Sequence, residues 1–382
     1  MKKFRSFTFV FLLITLAFVL FACTVPESGT SPEPDGSAPP ATDDGSIASS
    51  MPPAGPTASS MPPTEAKYYN MLTGEPILLP DAEALAAQNR RPTAVMVNNI
   101  QGSLPQSGIT AADVIFEADV EGCTRLLAVF QDISAVKKIG SVRSARHYYI
   151  ELADSLDAVY IHAGWSPRAM SILNKRTDYI NGLKGSGADG AFYRDPDRYN
   201  KGWKTEYTLF LDGGKLWTYL TTKTQIRSTA AADYKAPWSF VADGTPAGGK
   251  DAKTVTTKSK YKTGTFEYDD ATKTYLASQY NKPWVDEAAG NKQLAFTNLI
   301  VIKTKVGMLT GADGGSGRLD INTTQGGSGY FFCGGKSIEI KWSRASQTSP
   351  FVFTTTDGKV ISLGVGKTYI GIIPENGTVE YK

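Results

Sequence analysis

The run Thr93-Ala94-Val95-Met96-Val97 is apolar and ends in two polar residues, Asn98 and Asn99, which predicts a buried strand. From Ala112 to Glu121 the pattern alternates. Val114, Phe116, Ala118 and Val120 fall on one face, and Asp113, Ile115, Glu117, Asp119 and Glu121 on the other. Gly122 breaks the run, and Thr124 to Phe130 reads as the hairpin partner. The period then lengthens. Tyr149, Leu152, Ala153 and Leu156 recur at helical spacing, and Ser144 is placed to cap a helix running through Leu156. Asp157 to His162 is a further strand. After the turn Ala163-Gly164-Trp165, Ser166 caps a second helix whose first position is Pro167, where a missing N–H costs nothing. Beyond about Ala236 the chain becomes rich in Thr, Lys, Tyr and Gly. It reads as short strands at 264–268, 274–278, 294–303, 329–332, 337–342, 351–354, 359–363 and 368–373, with Asp357-Gly358 as a hairpin signal. The expected class is α+β: an N-terminal mixed α/β sheet domain over 67–235, followed by a strand-rich C-terminal domain over 236–382.

The start of the chain has a different pattern. Lys2, Lys3 and Arg5 precede an apolar run from Phe9 to Phe21, and Leu20-Phe21-Ala22-Cys23 closes it. This is the layout of a secretory signal, over 1–22, that ends at a lipid-accepting cysteine. The run is shorter than the roughly 20 residues that span a bilayer. Processing is expected to leave Cys23 carrying acyl chains such as palmitate, and two or three chains hold firmly at about 0.8 kcal/mol per buried methylene. Thr24, not Asp, follows the cysteine. From Cys23 to Ala66 the chain is mostly Ser, Pro, Gly, Ala, Thr and acidic residues, with Pro-Pro at 39–40, 52–53 and 62–63. Such a segment buries too little apolar surface to fold and serves as an extended tether. The expected address is the outer face of the bacterial cytoplasmic membrane, with the lipid anchor as the contact.

Net charge is +3, with Lys and Arg scattered, so nothing points to nucleic acid. Cys123 and Cys333 are the two cysteines outside the signal, too few for a disulfide framework. No His/Cys cluster has metal-ligand spacing, and no metal or cofactor is expected. The two helix starts carry the candidate chemistry. Each follows a strand end, where open α/β sheets bind ligands and helix N–H groups favour an anion. Arg143 and Arg146 lie at the first, and His162, Ser166 and Arg168 at the second, with Arg125 on the preceding strand. Guanidinium groups suit phosphate or carboxylate. Two readings stand side by side: an anion pocket formed by Arg125, Arg143, Arg146, His162 and Ser166, or arginines that pair with Asp113, Glu117 and Glu121 and brace the fold. The acidic face is either solvated, paired, or able to hold a divalent cation beside a phosphate. Trp284, Trp342 and Tyr369 read either as core or as a sugar-stacking surface. Ser134-Ala135-Val136-Lys137, Tyr179-Ile180-Asn181 and Lys262-Thr263-Gly264 mimic the three signatures of penicillin-binding enzymes, but Ser134 falls in a short link and not on a buried helix.

Several segments together resemble the YerB-like lipoproteins, a two-part bacterial family of unknown function. They are Arg91-Pro92-Thr93-Ala94-Val95-Met96-Val97-Asn98-Asn99, Pro105-Gln106-Ser107-Gly108, Glu121-Gly122-Cys123-Thr124-Arg125, Ile139-Gly140-Ser141-Val142-Arg143-Ser144-Ala145-Arg146 and His162-Ala163-Gly164-Trp165-Ser166-Pro167. The resemblance continues through Tyr268-Asp269, Gly317-Arg318 and Lys341-Trp342 to Gly366-Lys367-Thr368-Tyr369-Ile370, so it covers nearly everything after the tether. It implies topology and a membrane address, not an activity. Two departures stand out. One residue is missing between Glu121-Gly122 and Thr124-Arg125, and Lys204-Thr205-Glu206-Tyr207-Thr208 replaces the family's His-Asn segment. The layout also resembles, more distantly, the LytR-CpsA-Psr wall-polymer transferases, without a matched motif.

The expected function is a membrane-tethered envelope protein that binds an anionic wall component or a cell-wall synthesis enzyme as scaffold or regulator. The alternative is an envelope phosphotransferase or phosphoesterase. It would hold phosphate on Arg143 and Arg146 and use Glu117 or Glu121, with a divalent cation, for acid/base work.

Overall fold

The computed structural model describes residues 66–183, 188, 190–315 and 317–382. The signal segment, Cys23 and the tether through residue 65 lie outside the described residues, and so does much of the glycine-rich stretch 182–190. After helix α1 (Asp81–Gln88), the first apolar run forms β1 (Thr93–Asn98). The alternating segment forms β2 (Val114–Val120), which turns through Glu121-Gly122 into β3 (Cys123–Phe130), with Val120 opposite Cys123. Gly122 takes φ +77°, a conformation that only glycine adopts cheaply. Helix α2 (His147–Asp154), strand β4 (Val159–His162), helix α3 (Pro167–Leu173) and strand β5 (Tyr179–Asn181) follow. Ser144 does not cap α2. The segment before the helix stays extended because Arg143 N–H bonds Met96 O and Ala145 N–H bonds Gly164 O, so the helix starts at His147 with Arg146 as the N-cap residue.

The C-terminal half contributes β6 (Thr254–Lys258), β7 (Thr263–Asp269), β8 (Thr274–Gln279), β9 (Asn298–Thr304), β10 (Gly327–Cys333), β11 (Lys336–Ser343), β12 (Val352–Thr355), β13 (Thr368–Pro374) and β14 (Thr378–Tyr381). An eleven-stranded sheet runs in the order Lys250–Asp251, β11, β10, β9, β13, β2, β3, β1, β4, β5, with β12 also on β11. Strand β13 lies parallel to both β9 and β2, so one sheet spans both halves of the chain. A second sheet of six strands is built on β8, β7, β6 and β14. The expected strand at 359–363 is mostly absent. Only Val360 bridges Thr354, and Leu363–Gly364 pairs instead with Phe240–Val241.

The central sheet is covered on both faces. Met96, Phe116 and Leu127 pack with Tyr148, Tyr149 and Leu152 of α2, and the same core takes in Trp342 and Phe351. Val95, Val97, Ile115 and Leu126 pack on the other face with Phe266, Tyr275 and Phe296 from the second sheet region. All seven positions of β2 are therefore buried, and its acidic side is not solvated. Trp284, Trp342 and Tyr369 are each at most 3% exposed, so they are core residues and form no stacking surface. Among the described residues no helix is long and apolar enough to cross a membrane.

Candidate anion-binding site

The side of β1, β2 and β3 that faces the helices ends in polar residues. Alternation places Asn98 on the face of Ala94 and Met96, and Arg125 on the face of Leu127 and Val129, and the register sets Asn98 opposite Arg125. The extended segment before α2 runs past the end of β1, where Asn98 N–H bonds Ser141 O and Val97 bridges Val142. It brings Arg143 and Arg146 to the same end. Glu121, in the turn, reaches Arg146. The guanidinium donates Nε to Glu121 Oε1 at 2.9 Å and Nη2 to Oε2 at 2.6 Å, a two-pronged ion pair. Burial would raise the Glu121 carboxyl, but its hydrogen bonds and charge contact with Arg146 hold it below the usual range.

Arg125 and Arg143 have no such partner. Arg125 is 6% exposed and donates Nη1 to Ser144 O at 2.7 Å. Arg143 donates Nη1 to Glu206 O at 3.2 Å. The Nε of each is buried with no hydrogen-bond partner among the described residues, and so are Asn98 Nδ2 and Ser141 Oγ. Burial, then repulsion from Arg146 and Arg143, pushes Arg125 down to about 10. Arg143 is lowered as well, by burial first and Arg146 among the lesser causes. Burial pushes the Cys123 thiol up while all three guanidinium groups pull it down, so the four side chains share one neighbourhood. The cluster holds three cations; Glu121 is paired with Arg146, and the Glu206 carboxylate acts on Arg143 through charge alone. Unpaired buried polar groups are costly, and these four, on Arg125, Arg143, Asn98 and Ser141, lie on segments that meet at one end of β1 and β3.

The remaining expected residues lie elsewhere. Glu117 is on the opposite face of β2, toward the second sheet. There it accepts Lys262 Nζ at 2.8 Å on both oxygens, Asn99 Nδ2 at 2.7 Å, Thr124 Oγ1 at 2.5 Å and Tyr369 OH at 2.8 Å. Its carboxylate is spent inside the protein and faces no arginine of the cluster. Asp113 precedes β2, about 25 Å along the strand from Glu121 at ordinary rise, and is bound by Asn70 Nδ2 and the Gln131 N–H. Ser166 Oγ accepts the Ala169 N–H and caps α3. His162 is fully buried, stacked between Tyr160 and Tyr179, with Nδ1 at 2.8 Å from Gly164 O. Sequence reasoning missed Asn98, Ser141, Lys262 and the pair of Asn99 and Thr124. The one visible signal was the polar ending of an apolar strand at Asn98-Asn99. Cys123 and Cys333 are unpaired thiols, and among the described residues no group of three or more His, Cys, Asp and Glu could hold a metal.

The burial of His162 sets a pH dependence. Burial, opposed only by the Gly164 carbonyl, pushes it from 6.5 down to about 4, so the ring is neutral at pH 7. As pH falls the unfolded chain takes up this proton first, and stability drops between about 6.5 and 4, by up to about 3 kcal/mol. Asp113 acts in the opposite sense. Burial pushes it from 3.8 up to about 6, so the folded state binds that proton first and gains over the same interval. His162→Gln is expected to turn a stability profile in which these two contributions nearly cancel into one that rises on acidification. Urea unfolding between pH 4.5 and 7 measures it, and an unchanged slope would discard the assignment to His162.

Residues 72–227 match the N-terminal domain, and residues 254–370 the C-terminal domain, of the family described as "Protein of unknown function (DUF3048)". The chain is 31% identical over 295 residues to the protein named "Putative lipoprotein YerB" from Bacillus subtilis (strain 168), an alignment covering 75% of this chain and 82% of the relative. The crystal structure of the YerB protein from Bacillus subtilis superposes with a TM-score of 0.67 at 27% identity, covering 82% of this chain and 100% of that one.

Proposed function

Because the chain belongs to the DUF3048 family of proteins of unknown function, we propose from its own site that it is a membrane-tethered envelope lipoprotein that binds an anionic cell-wall component. The arginine cluster holds the phosphate or carboxylate of that component, and no metal is called on. The observation that carries this reading is the pair of buried, unpartnered Nε donors of Arg125 and Arg143, in a cluster with more cations than carboxylates. The address rests on Cys23, with the signal before it and the tether after it, and on the name of the Bacillus relative. A phosphotransferase or phosphoesterase would need a carboxylate facing the bound phosphate. Glu121 is closed against Arg146 and Glu117 lies across the sheet, so the geometry favours binding over catalysis.

The test is recovery of envelope phosphate by the full-length protein from detergent-solubilised membranes. The wild type is compared with Arg125→Met/Arg143→Met. Bound phosphorus is expected to fall by at least about tenfold in the variant, given that charge-assisted hydrogen bonds are the strong ones. Equal recovery from both proteins would sink the anion site.

A further inference from the structure

Helix α1 turns its apolar side outward. Ala84 is its one buried residue. Ala82, Leu85 and Ala86 lie about 100–160° round the helix from it, and all three are exposed. The residues before the Pro80 N-cap extend the stripe, Leu78 at 84% exposure and Leu79 at 50%. Among the described residues ten large hydrophobic side chains are exposed, and Tyr69, Leu78, Leu79 and Leu85 are four of them. The other six are spread over residues 183–360, so exposed apolar surface is concentrated in this one segment. Such a concentration marks an interaction surface. Asp81 and Glu83 flank the stripe, and Lys67 Nζ closes on Asp81 at 2.7 Å.

Beyond the C-terminal end of α1 the surface becomes basic and aromatic. The Arg90 guanidinium lies over the Trp217 ring, 4.9 Å from its centroid. Trp217 lines an open depression of about 550 Å³ with Lys137, Lys215 and Lys223, where Asp212 is the one carboxylate. Leucines beside lysines and a tryptophan suit a membrane–water interface. Apolar side chains enter the acyl region, lysine stems keep their ammonium groups at the phosphates, and an indole sits at headgroup level.

Position in the chain selects the occupant. The tether read from Cys23 ends at Ala66, and Leu78 follows 12 residues later. Even as polyproline II, at about 3.1 Å per residue, such a tether keeps Ala66 within roughly 140 Å of the acyl chains. A bilayer is therefore always within reach, and tethering makes even a weak contact effective. A second copy fits less well, because a two-fold pairing of this surface would bring the same three lysines together.

We propose that this face is a second membrane contact. Leu78, Leu79 and Leu85 enter the phospholipid leaflet that holds the anchor, and Lys137 and Lys215 meet its phosphates. The inference rests on the lipid anchor at Cys23 and is independent of the arginine site.

Nitroxide accessibility tests it, on the full-length lipoprotein reconstituted into vesicles of phosphatidylethanolamine and phosphatidylglycerol. One label is placed through Ala82→Cys on the stripe. Another, in a separate protein, is placed through Val360→Cys, a position 68% exposed in the C-terminal half. Cys123 and Cys333 are buried, and unsubstituted protein taken through the labelling supplies the background. The label at position 82 is expected to collide more with oxygen, which enriches in hydrocarbon, and less with a water-soluble nickel chelate, than the label at position 360. Leu78→Ser/Leu79→Ser/Leu85→Ser is expected to return position 82 to the value at 360, with melting temperature and sedimentation with the vesicles unchanged. Equal values at 82 and 360, in protein that stays on the vesicles, would overturn the face and leave the anchor standing. So would immersion kept by the triple variant, or spin–spin broadening at 82, which would put a second copy on the stripe. Protein that does not sediment with the vesicles would overturn the anchor and the face together.

Discussion

Lys262→Met is expected to destabilise the protein by about 3–5 kcal/mol, the cost typical of removing one partner from a buried ion pair. The Lys262 and Glu117 side chains are 4% and 6% exposed, and the ammonium sits 2.8 Å from Glu117 Oε1. Without it, the carboxylate keeps Asn99, Thr124 and Tyr369 as donors but loses its only compensating charge among them. The ammonium also lies over the Trp284 ring, 4.3 Å from its centroid, so unfolding can be followed by tryptophan fluorescence in urea. Glu117→Gln/Lys262→Met removes both charges and should recover roughly half of the loss, as coupled partners in one network do. A single variant within about 1 kcal/mol of wild type would show that the pair does not hold the two sheets together.

That pair also explains why the sequence was legible up to a point. The strands β1, β2 and β3, the glycine turn at Gly122 and the Ser166-Pro167 helix start follow from local patterning, and the structure has them. The identity of the layer that covers the second face of β2 does not follow. Ile115, Glu117 and Asp119 read as a polar face because their cover comes from about 140 or more residues further on. Lys262 takes Glu117, Ser259 takes Asp119, and Tyr369 enters beside Ile115 as part of β13. No local period encodes such a partner. The same limit applied to the arginines. Their types and spacing left an anion pocket and internal pairing both open, and local pattern could not say which arginine would meet a carboxylate. Arg146 found Glu121, while Arg125 and Arg143 found backbone carbonyls and kept unpaired donors. Ser144 looked like a cap because of its chemistry, but the hydrogen bonds of its neighbours to Met96 and Gly164 keep that backbone extended.

Arg125→Met is expected to leave stability unchanged or raise it by up to about 2 kcal/mol, while removing the response to anions. The guanidinium is buried, repelled by two others, and satisfied at Nη1 but not at Nε. Relief of the repulsion and of the orphan donor offsets the lost bond to Ser144, each contribution being about 1–3 kcal/mol. A functional site commonly carries such a cost, which the ligand then removes. In the wild type, phosphate at 100 times its dissociation constant should add about 2.7 kcal/mol. Thermal melts in phosphate against chloride at matched ionic strength separate this from general screening. Arg143→Met, altering a guanidinium partly open to solvent, should lose the same response with a smaller change in basal stability. If Arg125→Met instead costs more than about 3 kcal/mol, beyond what one charged hydrogen bond contributes, and phosphate still stabilises the variant, then Arg125 braces the helix start through Ser144 and the anion sits elsewhere.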